Sequence, residues 1–353
     1  MLIKIQGMRL ITVFILLILV CNQVSAQNTN FTIETGAYGR IATFRESNPP
    51  QFTVNYVSLL EDSFGIPGCE DAMKRLNSLF SDVYDTFVLH RQRSKSEALD
   101  FFQVTDSLVK KHGLLRYGFH EKYNGEFLNN CLADPYGGIV CYYLTLVYTN
   151  LAKVYPFEVH PVIASDGHIF VRYEAPSLDS AVNWETTSGK SQPDRHYIRK
   201  GGLSQQSLSH GCYLRSLSDR ESLATEFRYM GAAMEVRARY KESLRFCKLA
   251  YRLDTTRFNS LYALATSFYL NNMLDSALLY LDKALAMDSL KVDTWSGYGF
   301  VYESYGDDAA AIRYYDRVLE IDSLNAQALF RRARIALKRE NMKTYHALYK
   351  QFN

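Results

Sequence analysis

Three residues in this 353-residue chain have the types and the order to carry out acyl chemistry: Cys141, His168 and Glu185. A cysteine attacks as its thiolate, and both a helix N-terminus and a neighbouring imidazole favour that form. In such a set the histidine takes the thiol proton and later returns it to the leaving amine, while the carboxylate fixes the imidazole tautomer. An amide or ester then passes through a thioester; water as acceptor gives hydrolysis, and an amine gives transfer. Each residue also has a plainer reading taken singly. Cysteine is among the most buried residue types, His168 suits a satisfied turn position, and Glu185 suits a solvated strand carboxylate.

Whether the three meet depends on the elements that carry them. In GGIVCYYLTLVYTNLA, Gly137 and Gly138 break the chain, and Leu144, Val147, Tyr148 and Leu151 share one helical stripe. Cys141 therefore falls in the first turn of a helix. The next segment changes to period two: EVHPVIAS, the pair Asp166 and Gly167, then HIFVRYE, which predicts a β-hairpin. With that pair as the turn, Ser165 faces His168 and Ile163 faces Phe170, so His168 shares the side of Phe170 and His160 points to the other. A further strand, AVNWETT, alternates Val182, Trp184 and Thr186 with Asn183, Glu185 and Thr187. The three residues converge if Glu185 lies on the face of His168. Upstream, EDAMKRLNSLFSDVY and SKSEALDFFQVTDSLVKKHG predict two more helices, the second opened by a Ser94 to Glu97 capping box and closed by Gly113.

A cysteine at a helix start, a histidine on the next strand and an acid on the strand after that resembles the transglutaminase-like proteins. The resemblance covers roughly residues 69 to 215 and includes VCYYLTLVYTNLA, DGHIFVRYE, NWETTSG and GCYLRSLSDRESLA. It implies an α+β, cysteine-protease-type fold with Cys141, His168 and Glu185 as catalytic residues. Ile139 stands where the family commonly has glycine, and Tyr143 where it often has a small hydroxyl residue; both narrow the pocket. The wider superfamily prefers Asp at the position of Glu185.

The C-terminal third repeats. YKESLRFCKLAYRLDTT at 240, LDSALLYLDKALAMDSL at 274 and DAAAIRYYDRVLEIDSL at 308 align at a constant offset of 34 residues, the tetratricopeptide period. Phe227, Leu261, Trp295 and Leu329 take the first large position of helix A; Gly231, Ala265, Gly299 and Ala333 take its small crossing position. Ser243, Ala277 and Ala311, then Ala250, Ala284 and Val318, take the packed positions of helix B. The resemblance implies an all-α tetratricopeptide solenoid with a groove lined by helix A of each repeat. Its groove positions fall on Tyr262, Thr266 and Tyr269, on Asp293, Ser296 and Phe300, and on Phe330 and Arg334. Aromatic residues with an arginine suit a protein or peptide ligand, and the same groove also suits packing against the preceding domain.

The expected organisation is a signal peptide over 1–26, a loosely structured lead-in over 27–68 and the transglutaminase-like domain over 69–200. A linker over 201–223 then leads to repeats at 224–257, 258–291, 292–325 and, in part, 326–353. Lys4 and Arg9, the apolar run from Leu10 to Val20, and the small residues Val24, Ser25 and Ala26 make the leader. Its run is too short for a membrane span, and Val20 before Cys21 is a poor lipoprotein site. The mature protein is expected outside the cytosol, in the periplasm or cell envelope.

Net charge is +3, and about +1 without Lys4 and Arg9, which argues against nucleic acid as a partner. The six cysteines include no C-x-x-C pair and no zinc-type spacing, so no metal is expected and no cofactor is assigned. Cys69, Cys131, Cys212 and Cys247 read as structural. SGKS at 188–191 is not a phosphate loop, because Trp184 occupies the required glycine position. Two functions remain open. One is an exported thiol enzyme that hydrolyses an amide or peptide bond; the other is an inactive transglutaminase-like fold serving as an interaction scaffold.

Overall fold

The computed structural model describes residues 30–32, 43–45, 69–90, 97–114, 141–153, 158–165, 168–174 and 181–352. The expected leader, Ser94, Cys131, Ile139 and the hairpin tip at Asp166 and Gly167 lie outside these residues. Within the lead-in, β1 (Asn30–Thr32) pairs antiparallel with β2 (Thr43–Arg45).

α1 (Cys69–His90) buries Ala72, Leu76, Leu79 and Val83 on one helical stripe. It packs with α2 (Glu97–Lys111), which buries Phe101, Phe102, Thr105, Leu108 and Val109. Gly113 ends α2 as expected, with φ of 66° and the Leu114 N–H donating back to the Val109 carbonyl at 3.0 Å. α3 (Cys141–Ala152) forms where the sequence places it, and its expected stripe is buried. The rest of the helix is buried too, apart from a half-buried Asn150. A helix apolar on all sides is a helix enclosed on all sides: the sheet lies on one flank and the first repeat helix on another.

β3 (Val159–Ser165), β4 (His168–Tyr173), β5 (Val182–Glu185) and β6 (Lys190–Ser191) form an antiparallel sheet in that order. Ser165 faces His168 as expected, but the register then shifts: Ile163 faces Ile169, and Val162 faces Phe170. The extra residue is a β-bulge, which re-aims every side chain beyond it. His160 consequently faces Arg172, on the Phe170 side of the sheet, so the expected separation of the two histidines does not hold. Val162, Ala164 and Phe170 are covered by Tyr197 of α4 (Asp194–Gly201). Ile163, Ile169, Val171 and Trp184 join the main core with α2 and α3.

The stretch 201–223 is not a linker. It contains α5 (Gln205–Ser209) and the start of α6 (Asp219–Val236), which opens with a Ser218–Glu221 capping box. Cys212, Tyr213 and Leu217 are buried. The Leu214 and Leu217 N–H groups donate to Ile163 and Pro161 carbonyls of β3 at 2.9 and 2.8 Å, so the segment lies along the sheet edge. On its other side the Cys212 carbonyl accepts from Arg257 at 3.3 Å, and Gln206 bonds Ser289.

Helix pairs follow: α6 with α7 (Tyr240–Leu253), α8 (Phe258–Leu270) with α9 (Leu274–Met287), α10 (Val292–Ser304) with α11 (Asp308–Ile321), and α12 (Ala326–Lys338) with α13 (Met342–Phe352). Equivalent helices from α7 onward start 34 residues apart, as the sequence repeat requires. The packed positions named above are all buried, except Trp295, which is half-buried. Gly231 shows why a small residue stands at the crossing: a Cβ there would lie 2.7 Å from Cys247 Sγ. Asp254, Asp288 and Asp322 close successive pairs with the same turn, each Oδ1 accepting the N–H two residues on, from Thr256, Leu290 and Leu324. One apolar cluster runs from Ala72 through the inner sheet face to Ala284, so the α/β part and the first repeats share a core.

Candidate thiol site

β4 opens with His168 and β5 closes with Glu185. Val171 pairs with Trp184, and continuing that register puts Glu185 beside Phe170, on the face of His168. His168 Nε2 lies 3.0 Å from each Glu185 carboxylate oxygen. The Cys141 thiol is also hydrogen-bonded to the ring. The three residues singled out in the sequence are therefore brought together as one hydrogen-bonded chain.

Cys141 is 9% exposed and begins a 12-residue helix with no acidic residue in its first turn. Burial by itself pulls the His168 imidazolium down, but hydrogen bonds to Cys141 and Glu185, with their charges, outweigh it and raise the pKa to about 9. A ring protonated at neutral pH is the partner that a thiolate needs. The arrangement can thus move a proton between sulfur and imidazole and hold the resulting ion pair.

Glu185 is fixed by its own turn. The N–H groups of Ser188 and Gly189 both donate to its carbonyl, at 3.2 and 2.8 Å. Gly189 has φ of 65°, and a Cβ on it would lie 2.7 Å from an Asp106 carboxylate oxygen. SGKS is accordingly a turn leading into β6.

Tyr197 was not foreseen in the sequence. Its hydroxyl donates to Glu185 Oε1 at 3.0 Å, and its ring stacks on Phe170 with centroids 4.3 Å apart. α4 is tied to the sheet by Asp194, which accepts from Arg172 at 2.6 Å and from Asn183 at 2.7 Å. Pro193, the acidic first turn, the basic last turn and Gly202 do form a helix start-and-stop pattern. Nothing in that pattern says which residue meets the sheet.

The first repeat helix closes the site. Tyr142 stacks on Tyr229 of α6 with centroids 4.5 Å apart, donates to the Ser222 carbonyl at 3.3 Å and lies near the fully buried Glu226. Burial pushes the Tyr142 phenol well up, and the Glu226 charge adds to this. The Tyr229 phenol is also raised, by burial and by Cys141 among its charged neighbours.

Along the expected groove, Tyr262, Thr266, Tyr269, Asp293 and Phe300 are half-buried, while Phe330, at 56%, and Arg334 are exposed. Ser296 is buried, which corrects its expected place on the groove. The half-buried aromatics pack within the array: Tyr269 meets Phe300 of the next pair at 6.1 Å, Tyr262 stacks on Phe258 at 5.9 Å, and Arg331 lies 4.7 Å over the Phe300 ring. Arg334 pairs with Glu303. Cys212 and Cys247 are buried thiols; burial raises both, Cys247 to about 12. Among the described residues no His, Cys, Asp and Glu cluster could hold a metal ion, and no helix is long and apolar enough to cross a membrane.

No family model matches the chain, and no curated protein matches it. Among solved structures it is similar to MamA, at 20% identity over 36% of this chain and 74% of that one, with a TM-score of 0.31. It is also similar to a MamA RS-1 ArsTM double mutant, at 11% identity over 45% of this chain and 78% of that one, with a TM-score of 0.33. A third is YrrB, a TPR protein with an unusual peptide-binding site, at 16% identity over 45% of this chain and 81% of that one, with a TM-score of 0.32.

Proposed function

We propose that the helix-pair array binds a protein or peptide partner and that Cys141, His168 and Glu185 form a transglutaminase-like thiol centre placed against it. The observation that carries this reading is that His168 bonds both the Cys141 thiol and the Glu185 carboxylate. Cys141 passes its proton to His168 and attacks an amide carbonyl; His168 returns that proton to the departing amine, leaving a thioester. His168 then takes a proton from water, the hydroxide displaces sulfur, and the acid is released with the thiol restored. The substrate is an amide or peptide bond outside the cytosol, in keeping with the leader-like N-terminal sequence.

A second reading, a scaffold without catalysis, is favoured by the enclosure of Cys141, a residue 9% exposed on a helix whose Tyr142 and Tyr143 are buried and which packs against the repeat helix α6. Labelling with an electrophilic amide mimic separates the two. The thiol centre requires that the wild type be labelled and Cys141→Ala not; equal labelling of both proteins leaves only the scaffold.

A further inference from the structure

We propose that Tyr197 is a positioning residue of the thiol site, whose hydroxyl holds the Glu185 carboxylate in the rotamer that faces His168. The proposal rests on the thiol reading above and deepens it. Glu185 is buried, and its Oε1 accepts from the Tyr197 hydroxyl at 3.0 Å while standing 3.0 Å from His168 Nε2. A buried carboxylate with a second donor spreads its charge over two hydrogen bonds, and the two together fix its orientation toward the imidazole.

The hydroxyl is placed by rigid parts. Its ring lies parallel to Phe170, 9° between planes, and stacks at 6.3 Å on His168 itself. Helix α4 is anchored through Asp194 to Arg172 and Asn183 of adjacent strands, and Arg172 is further held by the Asn183 side chain at 2.8 Å and the Leu214 carbonyl at 2.8 Å. The charged and titratable groups around the carboxylate are His168 and Arg172 from β4, Cys141 from α3, Asp194 and Tyr197 from α4, and Lys190 from β6, which is the cross-strand partner of Glu185. Burial first, and the Glu185 and Asp194 charges next, keep the phenol far above its ordinary range, so it stays a donor at any pH at which the site works.

Tyr197→Phe tests this, because the ring stack on Phe170 remains and only the hydroxyl goes. The readouts are the rate of Cys141 alkylation by iodoacetamide across the pH range and the His168 titration by NMR, in the full chain. The expected result is a His168 midpoint shifted upward by about 0.5 to 1 unit, because the carboxylate charge then falls on one hydrogen bond, and an alkylation pH profile displaced from that of the wild type. In a Glu185→Gln background the same change should add nothing further, since Tyr197 acts through that carboxylate. An unmoved pH profile overturns the proposal, even if Tyr197→Phe lowers the melting temperature. Alkylation that is equally fast in His168→Ala instead overturns the thiol reading itself, whereas dependence on His168 without dependence on Tyr197 overturns only this inference.

Discussion

Tyr142 of α3 and Tyr229 of α6 stack with ring centroids 4.5 Å apart and 29° between their planes, one residue along the chain from the Cys141 sulfur. The helix that carries the thiol is thereby clamped to the helix that opens the repeat array. Tyr229→Ala should destabilise the protein by about 3 kcal/mol, through lost burial and lost ring contact. Because one core spans both parts, unfolding followed by tryptophan fluorescence and by circular dichroism should coincide. Two separate transitions would show that the parts are energetically independent.

Arg257 is 3% exposed and joins three segments: Asp254 at 2.9 Å, Glu221 at 3.5 Å and the Cys212 carbonyl at 3.3 Å. Removing the guanidinium leaves buried acceptors unpaired, so Arg257→Ala should cost about 3 to 5 kcal/mol. Arg257→Met should cost as much despite its similar volume, because the loss is of charge and not of packing. A urea midpoint for Arg257→Met close to that of the wild type would contradict this.

Gly189→Ala meets two penalties, a φ of 65° and a Cβ 2.7 Å from an Asp106 oxygen. It should lower stability by about 1 to 3 kcal/mol and displace the turn that seats Glu185. Slower alkylation of Cys141 in this variant, with Cys141 still buried, is the accompanying sign. An unchanged alkylation rate would mean that Glu185 is seated independently of its turn.

The folded pKa of His168, about 9, lies above the ordinary 6.5. Its contribution to stability is therefore complete below pH 6.5 and is lost as pH rises through 9, on the order of 2 kcal/mol in all. Unfolding free energies from urea titrations at about pH 6 and about pH 9.5 should differ by this amount in the wild type and converge in His168→Gln. The same slope in both proteins would assign it to another group.

Phe300 and Phe330 occupy corresponding stretches of helix A but differ in surroundings. Phe300→Ala removes contacts with Tyr269, Tyr315 and Arg331 and should cost about 2 kcal/mol. Phe330, 56% exposed, should leave stability within about 0.5 kcal/mol when changed to Ala, while weakening capture of a peptide partner. Loss of capture in neither variant would place the partner site elsewhere.

The sequence by itself determined what local pattern controls. The 34-residue spacing placed the helix pairs and their packed residues, because each pair repeats the same short-range contacts. Gly113 ended α2, two glycines before an apolar stripe placed Cys141 at a helix start, and the Asp-Gly pair lay between strands whose first register, Ser165 with His168, was legible. What tertiary structure alone decided were relations between distant segments. The bulge near Ala164 turned His160 to the other face, since register beyond a hairpin tip follows which side chains the core accepts, and parity counting assumes no extra residue. The stretch 201–223, polar and glycine-bearing, read as a linker, yet β3 and the repeat turns supply the backbone partners that make it structure. Tyr197 belonged to a short polar helix whose sequence shows no reason to meet Glu185. It does so because Arg172 and Asn183 of two neighbouring strands hold Asp194, one turn away, against the sheet.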